Sequence, residues 1–293
     1  MAESKLLFPG CMIGNRIPYL EASARKVFEK LGVKVEDAPF SCCPDPVGFQ
    51  STDKESWLAL GARNLCIAEQ MGKNIVSLCN GCTQTLTAVN HELKNNPHEK
   101  EKINKILKKV NKEFKGTSNV YHFVKLLKEE VGVDKIKSTV TKSLSNLKVA
   151  CHTGCHYARP SSIMQYDDPF EPKVLRELVA ATGAKVVDYT EEALCCGTGA
   201  SNTDPNVGLT VLKRKMDSIK KAGANAICVI CPSCFQQIDG NQKALTKQFG
   251  TEYEIPVLYL TELLALAMGY SSEEIDLKSH RTKTEIIDKN IGG

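Results

Sequence analysis

The chain has 293 residues, 42% of them hydrophobic, and a formal net charge of +4, which suits two cores of ordinary domain size and singles out no class of partner. No apolar run approaches the ~20 residues of a membrane span, and Met1–Lys5 is followed only by a short apolar run ending at Pro9-Gly10, so neither a membrane span nor an export signal is expected. Thirteen cysteines in a chain expected to be cytoplasmic point to metal or redox chemistry rather than structural disulfides, because the cytosol keeps thiols reduced.

Lys5–Pro9 reads as a strand leading into Cys11. Ile17–Leu31 has the periodicity of an amphipathic helix, and Val33–Glu36 is a second strand. The pair Cys42-Cys43 follows, with Pro44-Asp45-Pro46 behind it to turn the backbone. The turn matters: neighbouring side chains on an extended strand point to opposite faces, so both thiols reach one site only where the chain bends. Asp53–Met71 reads as a helix capped at Thr52 or Asp53, and Asn74–Leu78 as a strand ending at Cys79-x-x-Cys82. Backbone N–H groups at the start of the next helix would face bound sulfurs there and offset their charge.

Residues 92–142 carry thirteen Lys against seven Asp or Glu. Within them, about 92–119 forms a Lys-rich insertion that the second half lacks. Ile103, Ile106, Leu107, Val110 and Phe114 fall at helical spacing in it, the pattern of a solvated amphipathic helix. The run holds no Arg and no interleaved aromatics, so nucleic acid is not an expected partner.

The second half then repeats the first. Leu147–Cys151 is a strand, Pro172–Thr182 a helix, Lys185–Tyr189 a strand, Asp204–Lys221 a helix and Asn225–Ile230 a strand, with Cys155, Cys195-Cys196 and Cys231-x-x-Cys234 at corresponding places. The likeness extends beyond cysteine. Phe8-Pro9-Gly10-Cys11 matches His152-Thr153-Gly154-Cys155, Thr52-Asp53 matches Thr203-Asp204, and Val120–Leu127 echoes Val257–Leu264. A duplicated domain is expected, 1–143 and 144–293, the second ending in a polar tail from Ser271. Alternating strands and helices favour parallel sheets covered by helices. In such sheets ligand sites gather at the carboxyl ends of strands, where Cys11, Cys79, Cys155 and Cys231 fall.

The count of thiols bears on the metal. One zinc takes four ligands, and so does a cubane 4Fe-4S cluster. Five cysteines in each half overfill both. Either one is spare, or each half holds a larger or more open iron-sulfur assembly, and the retention of all five in both halves favours the second.

This pattern of a lone Cys, a Cys-Cys pair and a Cys-x-x-Cys, written twice, resembles the CCG-domain family, and over about residues 5–268 the chain is similar to the B subunits of methanogen heterodisulfide reductases. The resemblance implies two homologous α/β domains related by pseudo-twofold symmetry, each with one non-cubane iron-sulfur cluster of 4Fe-4S type. Cys11, Cys42, Cys43, Cys79 and Cys82 would hold one, and Cys155, Cys195, Cys196, Cys231 and Cys234 the other. The first pair is followed by Pro44 where the second has Gly197.

The implied reaction is reduction of the mixed disulfide of coenzyme M and coenzyme B to two thiols, with one electron from each cluster. Arg16 and Arg159, close after the two lone cysteines, become candidates for the substrate's sulfonate and phosphate. His156 becomes a candidate proton donor, with His152 behind it. Implied partners are a ferredoxin-like iron-sulfur subunit of C type and, through it, a flavin subunit of A type with hydrogenase or formate dehydrogenase. Two readings compete: an electron-transfer iron-sulfur subunit of a glycolate, lactate, glycerol-3-phosphate or thiol:fumarate oxidoreductase, and a structural zinc protein. Cys66, Cys151 and Cys228 have no counterparts in the repeat and are expected in the core. His91, His98, His122 and His280 carry no spacing that suggests metal.

Overall fold

The computed structural model describes residues 3–291. The outermost residues of the two expected domains, 1–2 and 292–293, lie outside them. Eight short strands form two four-stranded sheets. The first holds β1 (Lys5–Phe8), β2 (Val35–Glu36), β3 (Ile75–Ser77) and β4 (Val120–His122) in the order β2-β1-β3-β4. The second holds β5 (Lys148–His152), β6 (Lys185–Val187), β7 (Ala226–Val229) and β8 (Val257–Tyr259) in the order β6-β5-β7-β8. Every pairing is parallel, with Leu6 opposite Ile75 in one sheet and Val149 opposite Ala226 in the other. The central strands are buried along their length apart from Lys148 at the start of β5, as parallel strands covered on both faces must be.

Tyr19–Leu31 is helical because Leu20, Ala24, Val27, Phe28 and Leu31 make one buried stripe, and it stops at Gly32, where φ of 73° suits glycine. The long helices Lys54–Gln70 and Pro205–Lys221 start at matching caps. Asp53 accepts from the Ser56 N–H at 3.0 Å, and Asp204 from the Asn206 N–H at 2.8 Å.

One expectation gains a structural meaning and two need correction. The echo of Val120–Leu127 in Val257–Leu264 proves to be the fourth strand of each sheet followed by a helix, Phe123–Leu126 in one half and Leu260–Ala267 in the other. In the Lys-rich insertion the helix runs only over Pro97–Leu107. Asn111 turns left-handed at φ 56°, so Val110 faces solvent and Phe114 enters the core from a loop. The polar tail carries the helix Glu285–Ile291, whose Ile287 and Ile291, one turn apart, are buried. Asp239 ties this tail down by accepting the Arg281 N–H at 2.7 Å and the Thr282 N–H at 2.9 Å.

The halves pack by reciprocal exchange. The helix Leu260–Ala267 of the second lies against Tyr19–Leu31 of the first, and Val174–Ala180 of the second lies against Phe123–Leu126 of the first. These are the same two helices with roles reversed, the contact pattern of a pseudo-twofold. A buried 2.7 Å hydrogen bond between the Ser23 and Thr261 hydroxyls lies in the first of these seams. No helix among the described residues is long and apolar enough to cross a membrane.

Candidate metal centre

The ten cysteines of the repeated motif form one string of thiol contacts. In the first half the order is Cys11, Cys42, Cys43, Cys82, Cys79. In the second it is Cys155, Cys195, Cys196, Cys234, Cys231, the same roles in the same sequence. The two strings meet where the thiols of Cys79 and Cys231 touch. Burial grades along each: the Cys-x-x-Cys thiols, Cys43 and Cys196 are buried, Cys155 and Cys195 half-buried, Cys11 and Cys42 exposed.

Local structure explains this convergence. Cys79 and Cys231 are extended residues two places past β3 and β7, and each is the N-cap of a long helix, Asn80–Asn95 and Pro232–Phe249. The sulfurs of both Cys-x-x-Cys motifs therefore lie at helix N-termini, where free N–H groups favour negative charge. Gly10 and Gly154, before the lone cysteines, have φ of 82° and 78°. A Cβ would lie 2.9 Å from the Cys82 sulfur at Gly10, and 3.2 Å from the Cys234 sulfur at Gly154. These are cradles that only glycine leaves open.

The Cys-Cys loops are held by the corresponding residue of each long helix. Asn64 accepts the Ser41 N–H at 2.9 Å and donates to the Cys42 carbonyl at 3.1 Å. Lys215 donates from Nζ to the carbonyls of Glu191 at 2.5 Å and Glu192 at 3.2 Å. Thr85 secures the first loop by donating to the Pro44 carbonyl at 3.0 Å, and the Thr198 hydroxyl lies 3.1 Å from the Cys196 sulfur.

Thiols this close cannot all ionise unaided. Contact with Cys42 and then Cys82 pulls Cys43 down to about 4, while Cys43 in turn pushes Cys42 up. Contact with Cys155 and then Cys196 pulls Cys195 down to about 2, and Cys155 rises. Bound metal removes the conflict by sharing the thiolate charge. An all-sulfur donor set of five per half, its Cys-x-x-Cys members buried at helix N-termini, fits soft iron-sulfur or zinc chemistry.

His152 also belongs to this place. One ring nitrogen and the sulfurs of Cys196 and Cys234 all lie within 4.8 Å of one another. Neither nitrogen makes a hydrogen bond, although the Glu192 carbonyl is near, and burial holds the ring neutral, well below its usual value. Its counterpart in the first half is Phe8, whose ring lies tilted against that of Phe40 with centroids 4.9 Å apart. His156, in the short turn Cys155–Tyr157, is half-buried.

Arg16 lies at the mouth of an interdomain cleft of about 750 Å³, lined from the first half by Cys11 and Asn15 and from the second by Thr198, Ser233 and Gln237. Arg159 instead donates to the Ala193 carbonyl at 3.1 Å, two residues before the second cysteine pair. Cys66 sits in a buried helix position, and Cys151 and Cys228 face each other in the β5–β7 register. Burial pushes the Cys66 thiol up to about 12 and raises the other two as well.

Lys215, Asn80 and Tyr259 were not singled out by sequence. Asn80 donates to the Thr153 carbonyl across the halves at 2.6 Å. The Tyr259 hydroxyl donates to the Ile230 carbonyl at 3.0 Å and to the equivalent Leu78 carbonyl of the other half. Lys215 did leave a signal, since it interrupts the buried stripe of Leu212, Met216 and Ile219.

The chain matches the cysteine-rich domain family, CCG, twice, over residues 6–87 and 149–239. It is 42% identical over 277 residues to the B subunit of the ferredoxin/F420H2-dependent CoB-CoM heterodisulfide reductase of Methanosarcina acetivorans, covering 94% of this chain and 92% of that one. It is 31% identical to the 8-methylmenaquinol:fumarate reductase membrane anchor subunit of Wolinella succinogenes, covering 94% and 96%. A crystal structure of a hypothetical protein from Helicobacter pylori shares the fold, with a TM-score of 0.76 at 16% identity over 97% of this chain and 52% of that one.

Proposed function

The chain belongs to the cysteine-rich CCG family, and on that premise we propose that it is the catalytic iron-sulfur subunit of a disulfide reductase acting on the mixed disulfide of coenzyme B and coenzyme M. The observation that carries the reading is the string of ten thiols, five per half, meeting at Cys79 and Cys231. Similarity over nearly the whole length to a heterodisulfide reductase subunit supports it.

In this reading each set of five cysteines holds one iron-sulfur group of non-cubane type. Bound there, the two groups supply one electron each, and a disulfide takes two electrons and two protons to become two thiols. Arg16 anchors an anionic end of the substrate in the cleft beside Cys11, whose exposure gives access from solvent. Arg159 fixes the Cys195-Cys196 loop through the Ala193 carbonyl. His156, next to Cys155, supplies a proton to a departing thiolate, while the buried His152 stays neutral. The helix N-termini behind both Cys-x-x-Cys motifs offset sulfur charge. Electrons arrive through a ferredoxin-like partner subunit of C type, itself fed by a flavin subunit of A type.

The second reading, an electron-transfer subunit of a fumarate-reducing system, is favoured by the 31% identical fumarate reductase subunit. One experiment separates them. The protein purified without oxygen is analysed for iron, acid-labile sulfide and zinc, then reduced and mixed with the disulfide. Two iron-sulfur groups and stoichiometric release of both thiols support the first reading. Iron-sulfur content without thiol release supports the second, and zinc without sulfide defeats both.

A further inference from the structure

The two halves share a motif but not an electrostatic environment. Three positions that correspond in the repeat differ, and two of them differ in charge in the same direction. The eleventh residue of the first long helix, Lys54–Gln70, is the neutral Asn64; that of its counterpart, Pro205–Lys221, is Lys215, fully buried. The third residue after the first cysteine of each pair is Asp45 in one half and Thr198 in the other. The strand residue two before the cradle glycine is Phe8 in one and His152 in the other, opposite Ser77 and Val229 in the register.

The consequences at the sulfurs are opposed. Asp45, its carboxylate turned back to accept the Val47 N–H at 3.0 Å, acts against negative charge on Cys43. Burial lowers the Lys215 ammonium to about 8, still charged at neutral pH, while Cys196, Cys234, Glu192 and Cys195 work to keep it charged; it in turn favours negative charge on those three sulfurs. Thr198, in the place of Asp45, brings no negative charge; its hydroxyl lies 3.1 Å from Cys196 and donates to the Ser233 carbonyl at 3.1 Å. The carboxylates nearest Lys215 have cations of their own: Glu192 is held by Arg176 at 2.8 Å and Glu191 by Arg214 at 2.7 Å. Arg25 on Asp37 repeats as Arg176 on Asp188, while Arg63, the counterpart of Arg214, donates to the Ser41 hydroxyl at 3.1 Å where Arg214 meets Glu191.

A reducible group gains negative charge when an electron arrives. A buried cation stabilises that charge strongly, because little solvent lies between to screen it. We propose that the two centres are unequal electron acceptors, and that Lys215, with Thr198 and without an acidic counterpart of Asp45, makes the C-terminal centre the higher-potential one. The inference rests on the iron-sulfur reading above. In the chain carrying one electron, the C-terminal centre is reduced and the N-terminal centre oxidised by a ratio of at least ten to one, equivalent to about 59 mV for a one-electron couple. The second electron then reduces the N-terminal centre. Lys215 is a positioning residue in this account: it touches backbone carbonyls and acts on the sulfurs through space.

The test is an anaerobic titration of the intact, iron-loaded chain with dithionite and one-electron mediators, followed by electron paramagnetic resonance, with iron and sulfide measured on every variant. Two separated one-electron steps are expected, the higher absent from Cys195→Ala and the lower absent from Cys42→Ala. Lys215→Met should lower the higher step by at least tenfold in its equilibrium constant and leave the lower one in place, while Lys215→Arg restores it. Asp45→Asn, at an exposed position, should raise the lower step and serves where Lys215→Met fails to fold. Two coincident steps, loss of the higher step in Cys42→Ala, or no shift in either charge variant at full iron content would overturn the proposal. Absence of iron and sulfide from the unmodified chain would instead defeat the reading on which it rests.

Discussion

Cys79, two residues past β3, and Cys231, two residues past β7, hold their thiols against each other across the two halves, so the motifs meet at buried members of each set. Each of these cysteines starts a long helix, and two helix N-termini therefore converge on one pair of sulfurs. What is a repeat in sequence is a single continuous site in space.

The two sets of five should be separable by mutation. Cys42→Ala is expected to remove the N-terminal iron-sulfur group and Cys195→Ala the C-terminal one, each leaving about half the iron. Both should abolish two-electron disulfide cleavage. Cys66→Ala and Cys228→Ala, at positions outside the thiol string, should keep full iron content at a stability cost of about 1–2 kcal/mol. Iron and sulfide analysis with a thiol-release assay decides it, and loss of iron from Cys228→Ala would show that β7, rather than the helix start after it, supplies a ligand.

Gly154→Ala should be more damaging than an exposed glycine substitution. Its φ is 78°, and the new methyl would sit 2.8 Å from Asn80 Nδ2 and 3.2 Å from the Cys234 sulfur. It displaces the Asn80 bond to Thr153 that joins the halves. A loss of roughly 2–3 kcal/mol is expected from the strained backbone and the clash, together with loss of the C-terminal iron. Gly223→Ala, also at positive φ but with open space around it, is the control. Equal destabilisation of the two with iron retained would place the whole effect in the backbone.

The buried pair His280 and Glu262 should make stability depend on pH. Their atoms are 2.9 Å apart and both side chains are fully buried. Burial works against the imidazolium, but Glu262 outweighs it and the native value lies above the usual 6.5. A raised native pKa adds stability that is complete below about 6.5 and lost as pH climbs through the native value. His280→Gln should therefore cost about 3 kcal/mol near pH 6, the scale for breaking a buried ion pair, and progressively less above it. Urea denaturation on the acid and alkaline sides measures this, and a pH-independent loss would show that the pair is an uncharged hydrogen bond.

Arg16 and Arg159 should behave differently despite matching places in the repeat. Arg16 borders the cleft, so Arg16→Ala is expected to raise KM for the disulfide about tenfold, roughly 1.4 kcal/mol of anion binding, with kcat little changed. Arg159→Ala frees the Ala193 carbonyl and should lower thermal stability and C-terminal iron first. A KM effect confined to Arg159→Ala would move the anion site to the other half.

Most of the repeated core was legible because parallel strands and amphipathic helices are written in neighbouring residues. The runs Leu6-Leu7-Phe8 and Ile227-Cys228-Val229 are continuously apolar since both faces of each strand are covered. The fourth strands were visible only as an echo, because three residues such as Val120–His122 carry too little periodicity to declare a strand. The tail helix escaped for a similar reason, with Ile287 and Ile291 its only buried residues.

By itself the sequence determined the duplication, the two five-thiol sets, the parallel strand and helix alternation, and the core placement of Cys66, Cys151 and Cys228. Only the tertiary structure decided that the two sets touch at Cys79 and Cys231, that Arg16 faces a cleft while Arg159 holds a loop, and that Lys215 and His152 border one set while Asn64 and Phe8 occupy the corresponding places at the other. The physical reason is one of range. Strands, helices and caps arise between residues a few places apart, whereas the field at a sulfur is set by side chains that the packing of two sheets brings together from distant parts of the chain.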